Sequence, residues 1–514
     1  MKIISILMDK NTPNILKNIR DDFYSDGYEL RLDLIFKFTE TKDISIIQKA
    51  INLIKTKDKI IVITLRDKNQ GGEYLCSLNE KLDIYNQLAS DNKNYKNLYF
   101  DFEYYIEQEI IEDFINKNHN SKIIYSYHNF TLTPEPSDLN KIFKSIYCQN
   151  ITKTKIIYKI VTQARNSLES LDLISFLKNI KSEYKNLQII AHCMGNYGIF
   201  SRVINGIYGS EFSYGILNQE KAVLDNNLGC ISTEDLYNLY RIKKLNKNTK
   251  IYALLGNPVE HSVGHVFHNE YFSKLDINSI YIKINFLKTE VKGFFEKIKE
   301  FNFSGLSITM PLKEEVFEYI SNKDDFKFIK AINTIKIDGN NLLGQNTDGV
   351  GAYIVLNELE QFDKNQINNF LFIGAGGAVE GIINELLVNL TKCNIVVLNR
   401  TLKNAEKIKS KFEKLCINKS SSIQINSFDD FSDINIKNQK LYVINAISNS
   451  YIKDNSLLKV VLDKIFSYIS KDSVVMDINY YNDILDLVPN EIKAINGIKM
   501  FREQAKLQQS FWDN

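Results

Sequence analysis

Short apolar, β-branched runs recur along the first half of the chain, and longer stretches with helical patterning separate them. The runs lie near residues 3–8, 30–36, 60–65, 98–102, 122–127, 156–161, 187–192 and 212–217. Continuous apolar strands that alternate with helices predict a parallel sheet that is covered by helices. Eight such units in succession predict that the chain has an α/β fold and begins with a (β/α)8 barrel.

A polar segment, residues 243–249, ends this first pattern, and a second α/β region follows it. A fresh strand is predicted at 251–255, and a glycine cluster comes directly after the apolar run 370–373. Further strands are predicted at 395–398, 441–444 and 474–478, and the tail from 500 to 512 is predicted to be helical. This succession of strands and helices is typical of a Rossmann dinucleotide-binding domain.

Composition excludes several classes of partner. The 64 basic and 62 acidic residues leave a formal net charge of +2, which provides no basic excess for nucleic acid or an anionic membrane. No apolar run has the length of a transmembrane helix, and the six cysteines show no metal-ligand spacing. We therefore expect a cytoplasmic protein with reduced thiols that acts on small molecules, without a metal.

One lysine stands out in the predicted barrel, where active sites occupy the carboxyl ends of the strands. Lys159 lies inside the apolar sixth strand, where a charged amine is costly to bury, and a neutral amine can form a Schiff base with a ketone. His128, at the end of the fifth strand, suits a general acid and base. Taken alone, these residues also fit a lysine that reaches solvent and an ordinary loop histidine.

Five motifs in order make residues 1–240 resemble type I 3-dehydroquinate dehydratase. They are Glu29-Leu30-Arg31-Leu32-Asp33, Arg66 before Gly71-Gly72, Ser126-Tyr127-His128-Asn129-Phe130, Lys159-Ile160, and Met194-Gly195 with Ser201-Arg202. The resemblance implies that Lys159 forms a Schiff base with the C3 ketone and that His128 takes the C2 proton and helps to expel water. It implies that Arg202 holds the carboxylate. The residues expected to contact ring hydroxyls are Glu29, Arg31 and Arg66.

The barrel departs from that family at two places. Gln70 stands where the family usually has a glutamate that orients the histidine, so it can donate a hydrogen bond but adds no negative charge. In the family's lid loop, Asn226 and Cys230 replace the usual serine and glutamine. These changes keep open the alternative of a catalytically weak or structural barrel.

Four motifs make residues 251–514 resemble shikimate dehydrogenase. They are Gly256-Asn257-Pro258-Val259-Glu260-His261-Ser262, Gly305-Leu306-Ser307-Ile308-Thr309-Met310-Pro311-Leu312-Lys313, Ala331-Ile332-Asn333-Thr334, and Gly344-Gln345-Asn346-Thr347-Asp348-Gly349. The resemblance implies that Lys313 and Asp348 form the polar pair at the reducible carbonyl. Without the motifs, the pair reads as an ordinary surface ion pair. The implied substrate-binding residues are Ser262, Ser307, Thr309, Asn333 and Gln504.

The glycine cluster predicts a dinucleotide site. It reads Gly374-Ala375-Gly376-Gly377-Ala378 and opens a helix, whose N-terminus favours the pyrophosphate charge. At the end of the next strand, Asn399, Arg400 and Thr401 stand where an enzyme that prefers NAD usually has an acidic residue, so NADP(H) is favoured. By resemblance, Met500 lies near the nicotinamide.

The same resemblance implies a discontinuous substrate domain, so we predict three domains. They are the barrel (1–245), a substrate-binding domain (248–362, completed by 483–514) and an inserted Rossmann domain (363–482). In one departure from the shikimate dehydrogenase family, Gly264-His265 stands where the family has a second carboxylate-binding serine and a proline after it.

We predict an enzyme that converts 3-dehydroquinate to 3-dehydroshikimate and then to shikimate with NADPH, as a monomer or homodimer. The alternatives are a dehydrogenase with a weak or structural barrel, and a non-catalytic metabolite sensor.

Overall fold

Eight parallel strands form a nearly closed barrel at the start of the chain. In this computed structural model the strand order is β7-β6-β5-β4-β3-β2-β1-β8. The strands are β1 (Lys2–Leu7), β2 (Gly27–Arg31), β3 (Ile60–Thr64), β4 (Leu98–Glu103), β5 (Lys122–Asn129), β6 (Ile156–Gln163), β7 (Ile189–Met194) and β8 (Phe212–Ile216). Between β7 and β8, the amide of Glu211 donates to the carbonyl of Ile189 over 2.9 Å. The (β/α)8 prediction is therefore confirmed.

The structure describes residues 1–7, 12–39, 44–147, 154–217, 229–360, 366–428, 439–447, 456–479 and 484–513. The chain divides into two units, Met1–Phe303 and Ser304–Asn514. The helices that alternate with the barrel strands are α1 (Thr12–Asp21), α2 (Leu32–Thr39), α3 (Ile44–Thr56), α4 (Leu78–Asp91), α5 (Gln108–Lys117), α6 (Pro136–Ile146), α7 (Ser167–Glu183) and α8 (Ile199–Ile204).

The interior of the barrel is apolar toward the amino ends of its strands. A buried cluster fills this end with Ile4, Val62, Tyr99, Ile124, Ile157, Ile190, Phe212 and Tyr214, together with Ile60. Because side chains alternate along a strand, the inward positions further along each strand continue the same face. Those later positions carry the polar residues of the candidate site.

The second barrel strand lies earlier than the sequence pattern predicts. Residues 30–36 were expected to form it, but β2 ends at Arg31 and α2 begins at Leu32. The apolar residues of this segment alternate as in a strand, yet Leu32, Ile35 and Phe36 are the buried ones in α2. Their spacing of three and four residues is that of one helix face, so the predicted strand assignment was wrong.

The first unit continues beyond the barrel. Strands β9 (Lys250–Gly256) and β10 (Ser279–Asn285) pair in parallel, and helices α9 (Gly264–Lys274) and α10 (Val291–Lys297) accompany them. Within this unit, the buried Glu290 contacts barrel helix α7. Its Oε1 accepts hydrogen bonds from the amides of Ser167 (2.6 Å) and Leu168 (3.2 Å), which are orphan donors at the start of that helix.

The second unit combines an antiparallel sheet with a parallel one. In the antiparallel part, β12 (Thr334–Asp338) pairs with both β11 (Phe303–Ile308) and β13 (Asn341–Gln345). The parallel sheet has the order β16-β15-β14-β17-β18-β19. Its strands are β14 (Asn368–Ile373), β15 (Cys393–Leu398), β16 (Ser422–Asn426), β17 (Tyr442–Asn445), β18 (Val474–Asp477) and β19 (Lys493–Ile495).

This parallel sheet has the doubly wound order of a Rossmann domain, because the strand sequence reverses between β14 and β17. Phe370 and Phe372 pack on one of its faces, whereas Leu371 and Ile373 pack on the other. The described helices of this unit are α11 (Asp348–Glu360), α12 (Gly377–Asn389), α13 (Leu402–Asn418), α14 (Ser456–Tyr468) and α15 (Gly497–Asp513). In the ranges that the structure covers, every helix is too short or too polar to cross a bilayer.

Candidate active sites

Lys159 lies in the barrel interior between two carboxylates. Its Nζ is 3.4 Å from Oε1 of Glu29 on β2 and 3.4 Å from Oδ2 of Asp101 on β4. The same Nζ lies 4.3 Å from the ring centroid of Tyr214 on β8. All four side chains are buried, so the amine is held away from bulk water. The alternative of a lysine that reaches solvent is thereby excluded.

Arg66 joins this cluster through a polar network. Its guanidinium is 3.0 Å from Oδ2 of Asp101 and donates to Oγ of Ser126 over 2.8 Å. Ser126 in turn donates to Oδ1 of Asp101 over 2.6 Å. Burial opposes ionisation of Asp101, but the charges of Arg66 and Lys159 outweigh it and lower its pKa. The aspartate therefore remains a charged anchor for both cations.

Glu29 and Arg31 are also held in place by defined partners. Oε1 of Glu29 accepts a hydrogen bond from Oγ1 of Thr64 over 2.8 Å. Arg31 binds Asp33 through two bonds of 2.9 and 2.8 Å. This paired geometry fixes the plane of the guanidinium. Asp33 belongs to the first sequence motif, but no role was predicted for it. In the structure, Asp33 is the partner that orients Arg31.

His128 lies half-buried on β5, and its ring stacks on that of Phe130 at a centroid distance of 5.9 Å. Burial, followed by the charges of Arg66 and Lys159, lowers its pKa well below the usual value of 6.5. The imidazole is therefore neutral at physiological pH and can accept a proton. Gln70 does not orient it here: Nε2 of Gln70 donates to the carbonyl of Asn69 over 3.3 Å, and Oε1 of Gln70 and Nδ1 of His128 both lack a partner among the described residues.

Two glycines allow the loop after β3 to fold next to this site. Gly71 has a φ of +76°, and a Cβ there would lie 2.4 Å from the ring of Phe130. A Cβ on Gly72 would lie 1.9 Å from the carbonyl oxygen of Arg66. Larger residues would push the loop away from the arginine and the aromatic ring beside His128.

The wall formed by β7 and β8 holds residues that the sequence reasoning missed. His192 is buried on β7, and its ring centroid is 5.9 Å from that of Tyr214. Arg202, at α8, is buried and donates to the carbonyl of Tyr214 over 3.4 Å. Burial lowers the pKa of His192 well below 6.5, with further contributions from the charges of Arg202 and Lys159. A search for inward positions on β7 and β8 could have identified both His192 and Tyr214.

The lid is described only from its last residues, and Asn226 lies outside the described residues. Gly229 has a φ of +58°, and a Cβ on it would lie 2.3 Å from the carbonyl oxygen of Gly195. Burial raises the pKa of Cys230, against an opposing effect of Arg202, so its thiol remains neutral at physiological pH. The close approach of Gly229 to Gly195 means that the end of the lid segment lies against the loop after β7.

In the second unit, three of the predicted residues, Lys313, Asn333 and Gln504, are joined to Asp348 at the start of α11. Nζ of Lys313 is 2.5 Å from Oδ2 of Asp348, and Nδ2 of Asn333 donates to Oδ1 over 2.8 Å. Asn333 also donates to Thr347 (2.9 Å) and to Oε1 of Gln504 on α15 (3.3 Å). Asp348 is buried and Lys313 is largely covered, so this pair differs from an exposed ion pair.

A second polar group flanks the pair. Oγ of Ser307 donates to Oε1 of Gln508 over 3.1 Å, and Nε2 of Gln508 donates to Oγ1 of Thr334 over 3.1 Å. Thr309 follows β11 and is partly exposed. In the first unit, Oγ of Ser262 accepts a hydrogen bond from the amide of Gly264 over 3.2 Å, and burial lowers the pKa of His265 to about 4. Gln508 was not predicted, although it lies one helical turn after Gln504.

The glycine-rich turn follows β14 as predicted and leaves room at the start of α12. Gly374 has a φ of +113°, which favours glycine, and a Cβ on Gly376 would meet no atom within 4 Å. Gly376 is the N-cap of α12 and makes no side-chain cap, so the orphan amides remain available to an anion. A Cβ on Gly377 would lie 3.6 Å from Cδ of Lys313. This turn therefore adjoins the lysine of the candidate pair, with Ala378 next in α12.

Residues at the end of β15 continue this edge of the sheet. The amide of Asn399 donates to the carbonyl of Asn426, and its side chain donates to the carbonyl of Thr401 over 2.9 Å. Arg400 and Thr401 are exposed. Met500 is buried among core residues of the Rossmann domain rather than on the surface.

Within the described ranges, no cluster of three or more His, Cys, Asp or Glu side chains could hold a metal ion.

Comparisons with known proteins place both halves among established families. The family model for type I 3-dehydroquinase matches residues 6–247, and the one for the shikimate dehydrogenase substrate binding domain matches residues 254–335. The shikimate biosynthesis protein AroDE of Chlamydia pneumoniae is 31% identical over 409 residues, which are 77% of this chain and 75% of that protein.

Two other relatives match different lengths of the chain. The chloroplastic bifunctional 3-dehydroquinate dehydratase/shikimate dehydrogenase of Arabidopsis thaliana is 28% identical over 74% of this chain and 61% of its own length. A shikimate dehydrogenase (NADP(+)) of Pyrococcus furiosus is 34% identical over 46% of this chain and 78% of its own length.

Proposed function

Because this chain belongs to the AroDE family of bifunctional 3-dehydroquinate dehydratase/shikimate dehydrogenases, we propose a mechanism for each half. The barrel dehydrates 3-dehydroquinate through a Schiff base on Lys159. The second site reduces the product, 3-dehydroshikimate, to shikimate with NADPH. The enzyme thus catalyses two consecutive steps of the shikimate pathway on small-molecule substrates.

The observation that carries the dehydratase proposal is the burial of Lys159 among Glu29, Asp101 and Tyr214. Its Nζ attacks the C3 carbonyl, and loss of one water gives the imine, which withdraws electrons from C2. His128 is neutral through its lowered pKa, so it can accept the C2 proton. The C2 electron pair then forms the C1–C2 double bond as the C1–O bond breaks. The proton on His128 passes to the departing oxygen, which leaves as water.

Arg202 binds the carboxylate in this proposal, and the ring hydroxyls meet Glu29, Arg31 and Arg66. The existing partners of these groups support that role, because Asp33 and Asp101 hold two of the guanidinium groups rigid. Orientation of this kind keeps the reacting atoms close without an entropic cost at the moment of reaction. Hydrolysis of the product imine then releases 3-dehydroshikimate and regenerates the Lys159 amine.

The dehydrogenase proposal is supported by the contact between Lys313 and Asp348. Lys313 donates a proton to the carbonyl oxygen, or stabilises its charge, as the ketone becomes an alcohol. Asp348 orients the lysine and accepts a hydrogen bond from the adjacent substrate hydroxyl, while Asn333 fixes the second carboxylate oxygen. The other proposed substrate contacts are Ser262, Ser307, Thr309 and Gln504.

The residues around the glycine-rich turn fit a dinucleotide phosphate. The open space at Gly376 and the uncapped start of α12 provide amide donors for a pyrophosphate. Arg400, with Asn399 and Thr401, suits a 2′-phosphate, and the Pyrococcus relative is named for NADP(+). When bound, NADPH supplies the hydride, and we propose that Met500 packs near the nicotinamide.

Borohydride trapping tests the Schiff base directly. Reduction of the enzyme with 3-dehydroquinate present should link the substrate covalently to Lys159, which peptide mass spectrometry locates. Lys159→Ala should trap nothing, and a label on another lysine would refute the assignment. For the cofactor, Arg400→Ala should raise the KM for NADPH about tenfold and leave the KM for NADH unchanged. An equal change for both cofactors would contradict the role given to Arg400.

A further inference from the structure

Two histidines flank Lys159 symmetrically in the barrel. His128 on β5 and His192 on β7 both pair in register with Val161 on β6. Lys159 precedes Val161 by two residues, so the lysine and both histidines lie on the inward face. The proposed dehydration mechanism uses only His128. The second imidazole therefore lacks an assigned function although it lies equally close in register to the lysine.

The wall around His192 contains buried polar atoms without partners in the described residues. These atoms are Nδ1 of His192, Oη of Tyr214 and Nε of Arg202. Buried polar groups in folded proteins are nearly always hydrogen-bonded, and each unpaired one costs about 1–3 kcal/mol. Three such atoms on adjacent side chains are explained when a polar ligand supplies their partners.

The neighbours of His192 indicate its position relative to the substrate. On one side His192 pairs with Val161, two residues after Lys159, and on the other its ring centroid lies 5.9 Å from that of Tyr214, whose carbonyl accepts a hydrogen bond from Arg202. In the proposed complex, Arg202 binds the carboxylate on C1 and Lys159 binds C3. The substrate atoms between these ends are C2 and the hydroxyl on C1, which is the group that leaves as water.

We propose that His192 and Tyr214 are substrate-binding residues of the dehydratase, with His192 donating a hydrogen bond to the departing C1 hydroxyl and Tyr214 binding an oxygen beside Lys159. This inference rests on the proposed function of the barrel. His192 keeps its proton throughout, because the proton that completes the water comes from C2 through His128. This hydrogen bond strengthens as charge develops on the departing oxygen. It therefore stabilises the transition state more than the bound substrate, and the barrier falls.

The test separates the two kinetic constants of dehydration in single variants. His192→Met fills a similar volume without a donor, and it should lower kcat about 100-fold with little change in KM. His192→Asn restores a donor and should recover part of kcat. Tyr214→Phe keeps the ring over Lys159 and should lower kcat/KM about tenfold. Tyr99→Phe is the matched control, because Tyr99 belongs to the same interior cluster and its hydroxyl already accepts from Lys122.

Urea unfolding monitored by far-UV circular dichroism reports folding of every variant, because these residues lie in the first unit, and dehydrogenase activity with 3-dehydroshikimate and NADPH shows that the second unit is intact. If His192→Met and Tyr214→Phe both match Tyr99→Phe in kcat and KM, the inference is overturned. Should His192→Met fail to fold, Tyr214→Phe decides, since it removes one oxygen only. A wild-type enzyme that forms no trapped adduct on Lys159 would overturn the proposed function instead. A wild-type enzyme that is trapped and active while the variants are unaffected would overturn this inference alone.

Discussion

Replacement of Glu290 by alanine should weaken the first unit measurably. The carboxylate accepts amide hydrogen bonds from Ser167 and Leu168 at the start of α7 and from Leu287 within its own segment, at 2.6, 3.2 and 2.6 Å. Loss of a helix cap costs about 0.5–2 kcal/mol, and each buried amide left unpaired costs about 1–3 kcal/mol. Allowing for partial hydration, Glu290→Ala should lower the free energy of unfolding by about 2–4 kcal/mol.

Urea unfolding, monitored through the loss of dehydratase activity, measures this effect, because α7 follows the strand that carries Lys159. Trp512 is the single tryptophan and lies in the second unit, so its fluorescence reports that unit separately. Glu296→Ala is the matched control, since its pair with Lys292 is exposed and 4.0 Å long. That control should change the free energy by less than about 0.5 kcal/mol. Equal midpoints for the two variants would refute the capping role of Glu290.

Three further predictions address the sites and their pH dependence. Asp348→Asn should lower the dehydrogenase kcat at least about 100-fold and leave the dehydratase kcat unchanged. Equal losses in both activities would contradict the role given to Asp348. Gly376→Val should leave the thermal midpoint unchanged, because space is open there, but raise the KM for NADPH about tenfold or more; an unchanged KM would contradict the phosphate site. Since burial lowers the pKa of His128 and His192 well below 6.5, the unfolded chain binds protons at these residues before the folded chain does as the pH falls, and the free energy of unfolding should fall by about 2 kcal/mol between pH 6.5 and 5.5. A flat urea midpoint across that range would contradict it.

The sequence predicted the barrel and the Rossmann domain because their strands are continuous apolar runs. The strand β14 and its glycine turn were recognisable from residues 370–378 alone. The second barrel strand was misplaced because alternating apolar residues in 30–36 fit both a strand and one helix face. Local periodicity does not distinguish the two in so short a run.

The candidate sites were predictable where a motif carried the residue and not where only geometry did. Lys159 and the Lys313–Asp348 pair could be identified from the sequence, and the structure brings the latter two within 2.5 Å. His192 and Tyr214 lie in ordinary apolar strands; pairing of β7 with β6 brings His192 beside the lysine strand, and only closure of the barrel brings Tyr214 on β8 to Lys159. The contact of Glu290 with α7 joins residues more than a hundred positions apart, and no sequence pattern indicates it.

The coupled reaction tests the two-step account most directly. Purified protein is given 3-dehydroquinate and NADPH, with 3-dehydroshikimate as the control substrate, and oxidation of NADPH is followed. We expect both substrates to drive oxidation in the wild type, and Lys159→Ala to abolish the signal from 3-dehydroquinate while keeping that from 3-dehydroshikimate. Oxidation by the wild type with 3-dehydroshikimate alone would contradict the account and leave the barrel as a structural partner of the dehydrogenase.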